Sequence, residues 1–181
     1  MSRLLLRAAA CALVLLALPA AAAGESATMP LRVYFNNAQR SGGDAGCAIV
    51  FELPRQVART DGVAAAALRQ LFAGPTEAER AAGYHSPFSA ATAGLLKRIR
   101  IEHGTAYVDL NDLRAELAGA TSSCGAAEFH TQVERTLRQF PTVRRVILAI
   151  DGEPRRFYEW VGQGCDLRTD HCDAAPFRPM R

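Results

Sequence analysis

TQVERTLRQFPTVRRVILAIDG, residues 131–152, decides how this chain folds. Together with Phe129 just before it, Val133, Leu137 and Phe140 recur at helical spacing and make one apolar stripe. Glu128, Gln132, Arg135 and Arg138 are expected on the polar side. Pro141 stops the helix, because its ring clashes with the preceding turn and it brings no N–H. Residues 143–150 then run almost continuously apolar and β-branched, the pattern of a strand covered on both faces. Asp151-Gly152 closes the strand with a turn signal.

Working outward, the stretch before this core reads as a β-hairpin. Ile99 and Ile101 alternate with Arg98 and Arg100, then Ala106, Val108 and Leu110 alternate with Tyr107 and Asp109. His103-Gly104 is the two-residue turn between them. Further upstream, residues 62–73 read as a helix with Ala64, Leu68, Leu71 and Phe72 on one face, with Asp61 as the expected N-cap and Gly74-Pro75 as the stop. Thr76 and Glu79 have capping-box spacing, so a short helix follows, ending near Gly83. Two alternating runs, LRVYFN at 31–36 and CAIVFEL at 47–53, read as neighbouring strands, the second ending at Pro54. Residues 111–119 have room for one or two helical turns. Residues 153–160 read as a last strand or an extended tail.

The order is strand, strand, helix, strand, strand, helix, strand. It predicts an α+β fold: a small mixed sheet with two main helices packed on one face. The expected core is Val33, Phe35, Ile49, Phe51, Leu68, Leu71, Ile99, Ile101, Val108, Phe129, Val133, Leu137, Val146 and Leu148.

The chain has 181 residues and is about half apolar, which suits one domain with a real core. Residues 1–23 read as a secretory leader: Arg3 and Arg7 ahead of an apolar run, then Ala21, Ala22 and Ala23 as a small-residue cleavage site. That run is far short of the roughly 20 residues needed to span a bilayer. Cys11 precedes the run, so it does not read as a lipid-anchor cysteine. Residues 24–30 form a short polar lead, 31–161 the domain and 162–181 a cysteine-containing tail. The chain is therefore expected to be exported, periplasmic or extracellular, with no membrane span after cleavage.

Of its 21 lysines and arginines, Arg3 and Arg7 lie in the leader, and 18 acidic residues balance the rest. That is no footprint for nucleic acid. Cys47, Cys124, Cys165 and Cys172 remain after the leader. An even number in an exported chain implies disulfides, and four cysteines allow three pairings. Cys165–Cys172, closing a small loop, and Cys47–Cys124, tying two distant segments, are favoured. The rival is a zinc site using these with His171 or His130, which no CxxC pair supports. No metal or cofactor is expected.

Four groups of motifs in order resemble the GerMN domains of sporulation and spore germination proteins. AALRQLFAGPTEAERAAGYHS (66–86) resembles their helix and "AGPT" turn. IRIEHGTAYVDLN (99–111) resembles their hairpin, and residues 131–152 their last helix and strand. Val33 to Phe35 and Pro54-Arg55 also fit. The resemblance spans residues 31–152. It implies an envelope module with a fold like the ring-building motifs of envelope-spanning complexes, and it carries no catalytic residues. The chain differs from the family pattern in having a single such domain, no lipobox and an unfamiliar tail.

Candidate chemistry is sparse. His85 beside Ser86 is the best enzymatic pair, but a nucleophile needs a base in reach and a group to orient that base. No G-x-S-x-G elbow or phosphate loop is present. Asp109 and Asp151 at strand ends, with Glu159, are the carboxylates a wall hydrolase would use. His103 belongs to a turn, and His130 to a partly solvated helix face. Arg98, Arg100, Arg144, Arg145, Arg155 and Arg156 offer an anion-binding face, and Tyr84, His85 and Phe88 an aromatic loop. The expectation is a non-catalytic module binding an envelope protein or itself. The alternatives are a peptidoglycan-binding domain, with a groove lined by Tyr84, Phe88 or Trp160, and less readily a cell-wall hydrolase.

Overall fold

The apolar run after Pro141 forms strand β6, Arg145–Ile150, and it is the last of three strands in one sheet. The computed structural model describes residues 27–42, 46–165 and 170–178; the leader, Cys11 and the proposed cleavage site lie outside them. The other two strands of that sheet are β4, Leu96–Glu102, and β5, Thr105–Leu110. They pair antiparallel through the His103-Gly104 turn, where both residues take positive φ (48° and 84°) as a tight hairpin turn requires. From β5 the chain crosses through helix α4, Ser123–Leu137, and returns as β6 parallel to β5.

A second sheet precedes this one. Strand β1, Thr28–Asn37, is flanked by β2, Val50–Ala58, and by the two-residue β3, Tyr84–His85, all antiparallel. A one-turn helix α1, Ala38–Ser41, follows β1, capped by the Asn37 side chain. Helix α2, Val63–Phe72, and the short α3, Glu77–Ala81, lie between β2 and β3. The fold is thus α+β, with its strands in two three-stranded sheets. The two main helices, α2 and α4, pack on β1 and on each other. Leu31, Val33 and Phe35 of β1 join Leu68, Leu71 and Phe72 of α2 and Phe129, Val133 and Leu137 of α4 in one core.

Several local expectations are corrected. β1 starts at Thr28, inside the stretch expected to be a polar lead. β2 does not end at Pro54 but runs on to Ala58; β2 is an edge strand, where a missing N–H costs no ladder bond. Helix α2 begins at Val63 with Gly62 as its uncapped N-cap, and the Gly62 N–H donates to Thr60 rather than drawing on Asp61. Residues 153–160 form neither strand nor tail. Pro154–Trp160 is a helix, α5, with proline in its first turn. Ile49 and Ile101 leave the core list, at 45% and 36% exposed. Ile49 lies in the loop before β2, and Ile101 at the tip of the β4–β5 hairpin. Gln132, assigned to the polar face of α4, is fully buried.

The capping box of α3 is closed in both directions between Thr76 and Glu79. Glu79 also takes a two-pronged bond from Arg55 on β2, at 2.6 and 2.8 Å. Burial pushes the Glu79 carboxyl up, but the bonds from Arg55 and Thr76 outweigh it and hold it below its ordinary value. The free side of β1 is closed by a side chain. Gln139, just past α4, accepts from the Arg32 N–H at 2.9 Å and donates to its carbonyl at 2.7 Å.

Gly74 fixes the path from α2 to the core. Its φ is +74°, and a Cβ there would stand 2.4 Å from the Phe88 carbonyl oxygen and 2.9 Å from Ser89 Cα. Gly74→Ala meets both backbone strain and a clash with backbone atoms, which cannot move aside as a side-chain tip can. The variant is expected to lose about 2 kcal/mol. A urea titration should show a lower midpoint at unchanged slope; an unmoved midpoint refutes this.

Candidate functional site

The residues singled out around positions 84–88 do come together, though not as an aromatic loop. Gly83, at φ 86°, turns the chain from α3 into β3, whose Tyr84 and His85 pair with Asn37 and Asn36 of β1. This sets His85 beside the first turns of α4. The His85 ring is about half exposed, and its Nε2 lies 3.3 Å from Glu128 Oε1. Tyr84 is half-buried and its hydroxyl accepts from Arg40 at 2.7 Å. Phe88 is no surface residue: it is 2% exposed and meets Phe72 and Phe129 edge-on, both at 4.9 Å. Trp160 likewise packs on Phe129 and Phe157. A stacking groove that uses the Phe88 ring is therefore not available, while Trp160 stays half-buried.

Beneath His85 runs a buried amide network. Ser86 Oγ donates to Gln132 Oε1 at 2.6 Å, and Gln132 Nε2 donates to Asn36 Oδ1 at 2.7 Å. Asn36 Nδ2 in turn serves the carbonyls of Gly46, Cys47 and Ile49. The network ties β1, the loop before β2, β3 and α4 at one point. Gln132→Leu keeps the volume but strips partners from Asn36 and Ser86. Stability should fall by about 2 kcal/mol, since a buried polar group left unpaired costs its full desolvation. Equal denaturation midpoints for variant and parent rule this out. Asn36 and Gln132 escaped the sequence reading, yet a signal existed. Gln132 lies three residues after Phe129, on the same side as the apolar stripe.

The Cys47–Cys124 disulfide seals the same region, joining the loop before β2 to the first turn of α4. Two cavities meet at His85. One, of 390 Å³, is lined by Ser41, Gly46, Cys47, His85, Cys124 and Glu128. The other, of 410 Å³, is lined by Pro75, Arg80, Tyr84, His85 and Ser86 among others. Ser86 faces no base here: its hydroxyl donates to Gln132 and accepts from the Phe88 N–H at 3.0 Å.

The arginine face is also reassigned. Arg98 and Arg100 donate to the main-chain carbonyls of Phe177 and Pro176, so the C-terminal segment lies over them. Phe177 is buried, with its ring edge-on to Tyr107 at 5.7 Å. Arg98 further pairs with Asp109 at 3.6 Å, and Arg100 with Glu102 at 3.1 Å. Arg155 pairs with Glu159 on α5. The carboxylates considered for hydrolysis are engaged too. Asp109 accepts from the Gly152 N–H at 2.6 Å, and Asp151 pairs with Lys97 at 2.7 Å.

Two sheets bridged by α2 and α4, with the motifs of residues 66–86, 99–111 and 131–152 in these places, define an α+β module of the GerMN kind. The family model Germane, described as sporulation and spore germination, matches residues 32–156, and the chain belongs to this family. Among solved structures it is similar to the tandem GerMN domains of the sporulation protein GerM from Bacillus subtilis, at 20% identity and TM-score 0.48, covering 74% of this chain and 43% of that one. It is also similar to the first GerMN domain of the same protein, at 20% identity and TM-score 0.47, covering 68% of this chain and 84% of that one. The chain thus spans less than half the length of the tandem-domain structure. No curated protein matches it.

Proposed function

We propose that this chain is a non-catalytic module of the cell envelope that binds another envelope protein or a second copy of itself. The observation that carries the reading is the surface at His85. Two open cavities meet at one exposed imidazole, the exposed Ile49 stands next to Gly46 on the rim, and Ser86, the serine adjoining that imidazole, is spent on a buried glutamine. A surface mixing an apolar tip with ionisable groups suits a protein partner. Its polar groups are committed to holding the fold and not arranged as nucleophile, base and orienter. The leader-like residues 1–23 and the two disulfides support work outside the cytoplasm. Burial of Phe88 in aromatic packing weighs against a peptidoglycan groove.

A photo-cross-linking residue placed at His85, with one at the exposed Arg69 of α2 as control, tests this in the native cell. Discrete protein adducts from position 85 and none from 69 are the expected result. Adducts to glycan strands alone, or equal capture at both positions, would reject it. Purified sacculi incubated with the protein should release no fragments; release would restore the hydrolase reading.

A further inference from the structure

Away from His85, the C-terminal segment gathers a second set of reactive side chains. One nitrogen of His171 and the sulfurs of Cys165 and Cys172 all lie within 4.8 Å of one another. A tetrahedral zinc ion with two thiolates and an imidazole needs its donors about 3.5–3.8 Å apart, which follows from bond lengths near 2.3 Å to sulfur and 2.0 Å to nitrogen. The histidine nitrogen is already within reach of both sulfurs, and the sulfurs, 2.02 Å apart while bonded, need only move apart once their bond is opened. In the oxidised chain the two sulfurs are bonded to each other, and disulfide sulfur is not a thiolate ligand.

The imidazole carries its own signal. His171 Nε2 is buried without a hydrogen-bond partner among the described residues, and so is Nε2 of His130. Both rings pack on Tyr158 and line one cavity of 410 Å³ with Glu134. A buried nitrogen with no partner costs about 1–3 kcal/mol, so such a group calls for an explanation. The three residues of the set are each part-exposed, open to a reductant and to a cation. The Cys47–Cys124 bridge has no comparable third donor among the described residues.

We propose that Cys165, His171 and Cys172 form a zinc site when a dithiol reductant opens their disulfide. The dithiol gives two electrons and two protons to the Cys165–Cys172 bond and becomes a disulfide itself. The bond breaks into two thiols. Zn²⁺ then displaces both thiol protons to solvent and forms two Zn–S bonds and one Zn–N bond to His171, leaving a fourth position open. The disulfide form of that dithiol reverses the step: it takes up two electrons and two protons from solvent, the Cys165–Cys172 bond re-forms, and Zn²⁺ is released. The tail thus has two alternative clasps, one covalent and one metallic.

Co²⁺ is the probe, because its thiolate complexes absorb in the near ultraviolet and its tetrahedral d–d bands lie in the visible. The protein is partly reduced without oxygen, peptide mapping confirms that Cys47–Cys124 is intact, and Co²⁺ is titrated in. One equivalent should give both sets of bands, and Zn²⁺ should bleach them. The oxidised protein should give neither. His171→Ala should weaken binding at least about tenfold, the loss seen even when a group that merely orients a ligand is removed. Where reduction opens both bridges, a second readout replaces the first: Zn²⁺ should slow alkylation of Cys165 and Cys172 and not of Cys47 and Cys124. Reduced protein without thiolate bands, bands that survive C165S/C172S, or unprotected Cys165 and Cys172 would overturn the proposal.

Discussion

Replacing Cys47 and Cys124 together by alanine should lower the melting temperature by roughly 10 °C or more. The bridge joins residues 77 apart in sequence, from the loop before β2 to the start of α4. Its main effect falls on the unfolded chain, which it forbids from separating those points. For a loop of that length the chain-entropy argument gives about 4 kcal/mol. Little packing is lost with the sulfurs, since Cys124 is exposed and Cys47 only half-buried. The folded state should therefore keep its circular-dichroism spectrum while its melting temperature drops. The Cys165–Cys172 bridge closes a loop of 7 residues, so removing it should cost about half as much. Equal melting temperatures for parent and C47A/C124A would refute the first statement. A larger loss from the short bridge would refute the comparison.

The second large effect is set by pH. His130 sits on α4 against Phe157 and Tyr158, and its pKa is lowered to about 4 by burial and by the neighbouring His171. In the unfolded chain it returns to its ordinary value of 6.5. Between these values the unfolded state binds a proton that the folded state refuses, so falling pH favours unfolding. The folded chain should lose about 3 kcal/mol between pH 6.5 and about 4, and nothing from this source above that window. Glu134, Arg145 and His171 line the same cavity, and of these His171 adds to the lowering. Glu79 adds a loss of the same sign at lower pH. Its carboxyl is held below 4.5, so its bond to Arg55 stabilises the fold above that value and is lost as pH falls through the depressed pKa. Denaturant titrations of parent and His130→Gln from pH 7 to 4 separate the two. The variant should lack the fall that begins near 6.5; parallel curves would exclude His130 as its source.

Much of the fold was legible because local chemistry and tertiary packing agree. The His103-Gly104 turn, the Thr76–Glu79 capping box and the stripe of Phe129, Val133 and Leu137 each follow from spacing alone. Where the reading failed, a local rule was overridden or an available pattern was passed over. Pro54 is a strand breaker only inside a sheet, and β2 is an edge. Along α5 and its C-cap, Pro154, Phe157, Tyr158 and Val161 are all buried at helical spacing, a stripe hidden by the charged Arg155, Arg156 and Glu159 between them. Ile49 and Ile101 alternate correctly but lie beyond the covered part of their sheets.

The candidate site was less readable than the fold. Residue type alone turns Phe88 and Trp160 toward a ligand and Arg98 and Arg100 toward an anion. Only the three-dimensional arrangement turns Phe88 inward and lays Pro176 and Phe177 across the arginines. The amide chain from Asn36 through Gln132 to Ser86 joins residues up to 96 positions apart, a distance no local pattern reports.

The Gln139 side chain on the flank of β1 sets a limit on how copies of this module can meet. Its amide already occupies the Arg32 N–H and carbonyl, as a neighbouring strand would. At that point the sheet cannot recruit a strand from a second molecule without first giving up those bonds. On the far side, Pro54 removes one donor from the edge of β2. At these two points the β1–β2 sheet resists pairing edge to edge with another copy. An array that meets across this part of the sheet would be built from side-chain surfaces, whose contacts can be tuned residue by residue and released again.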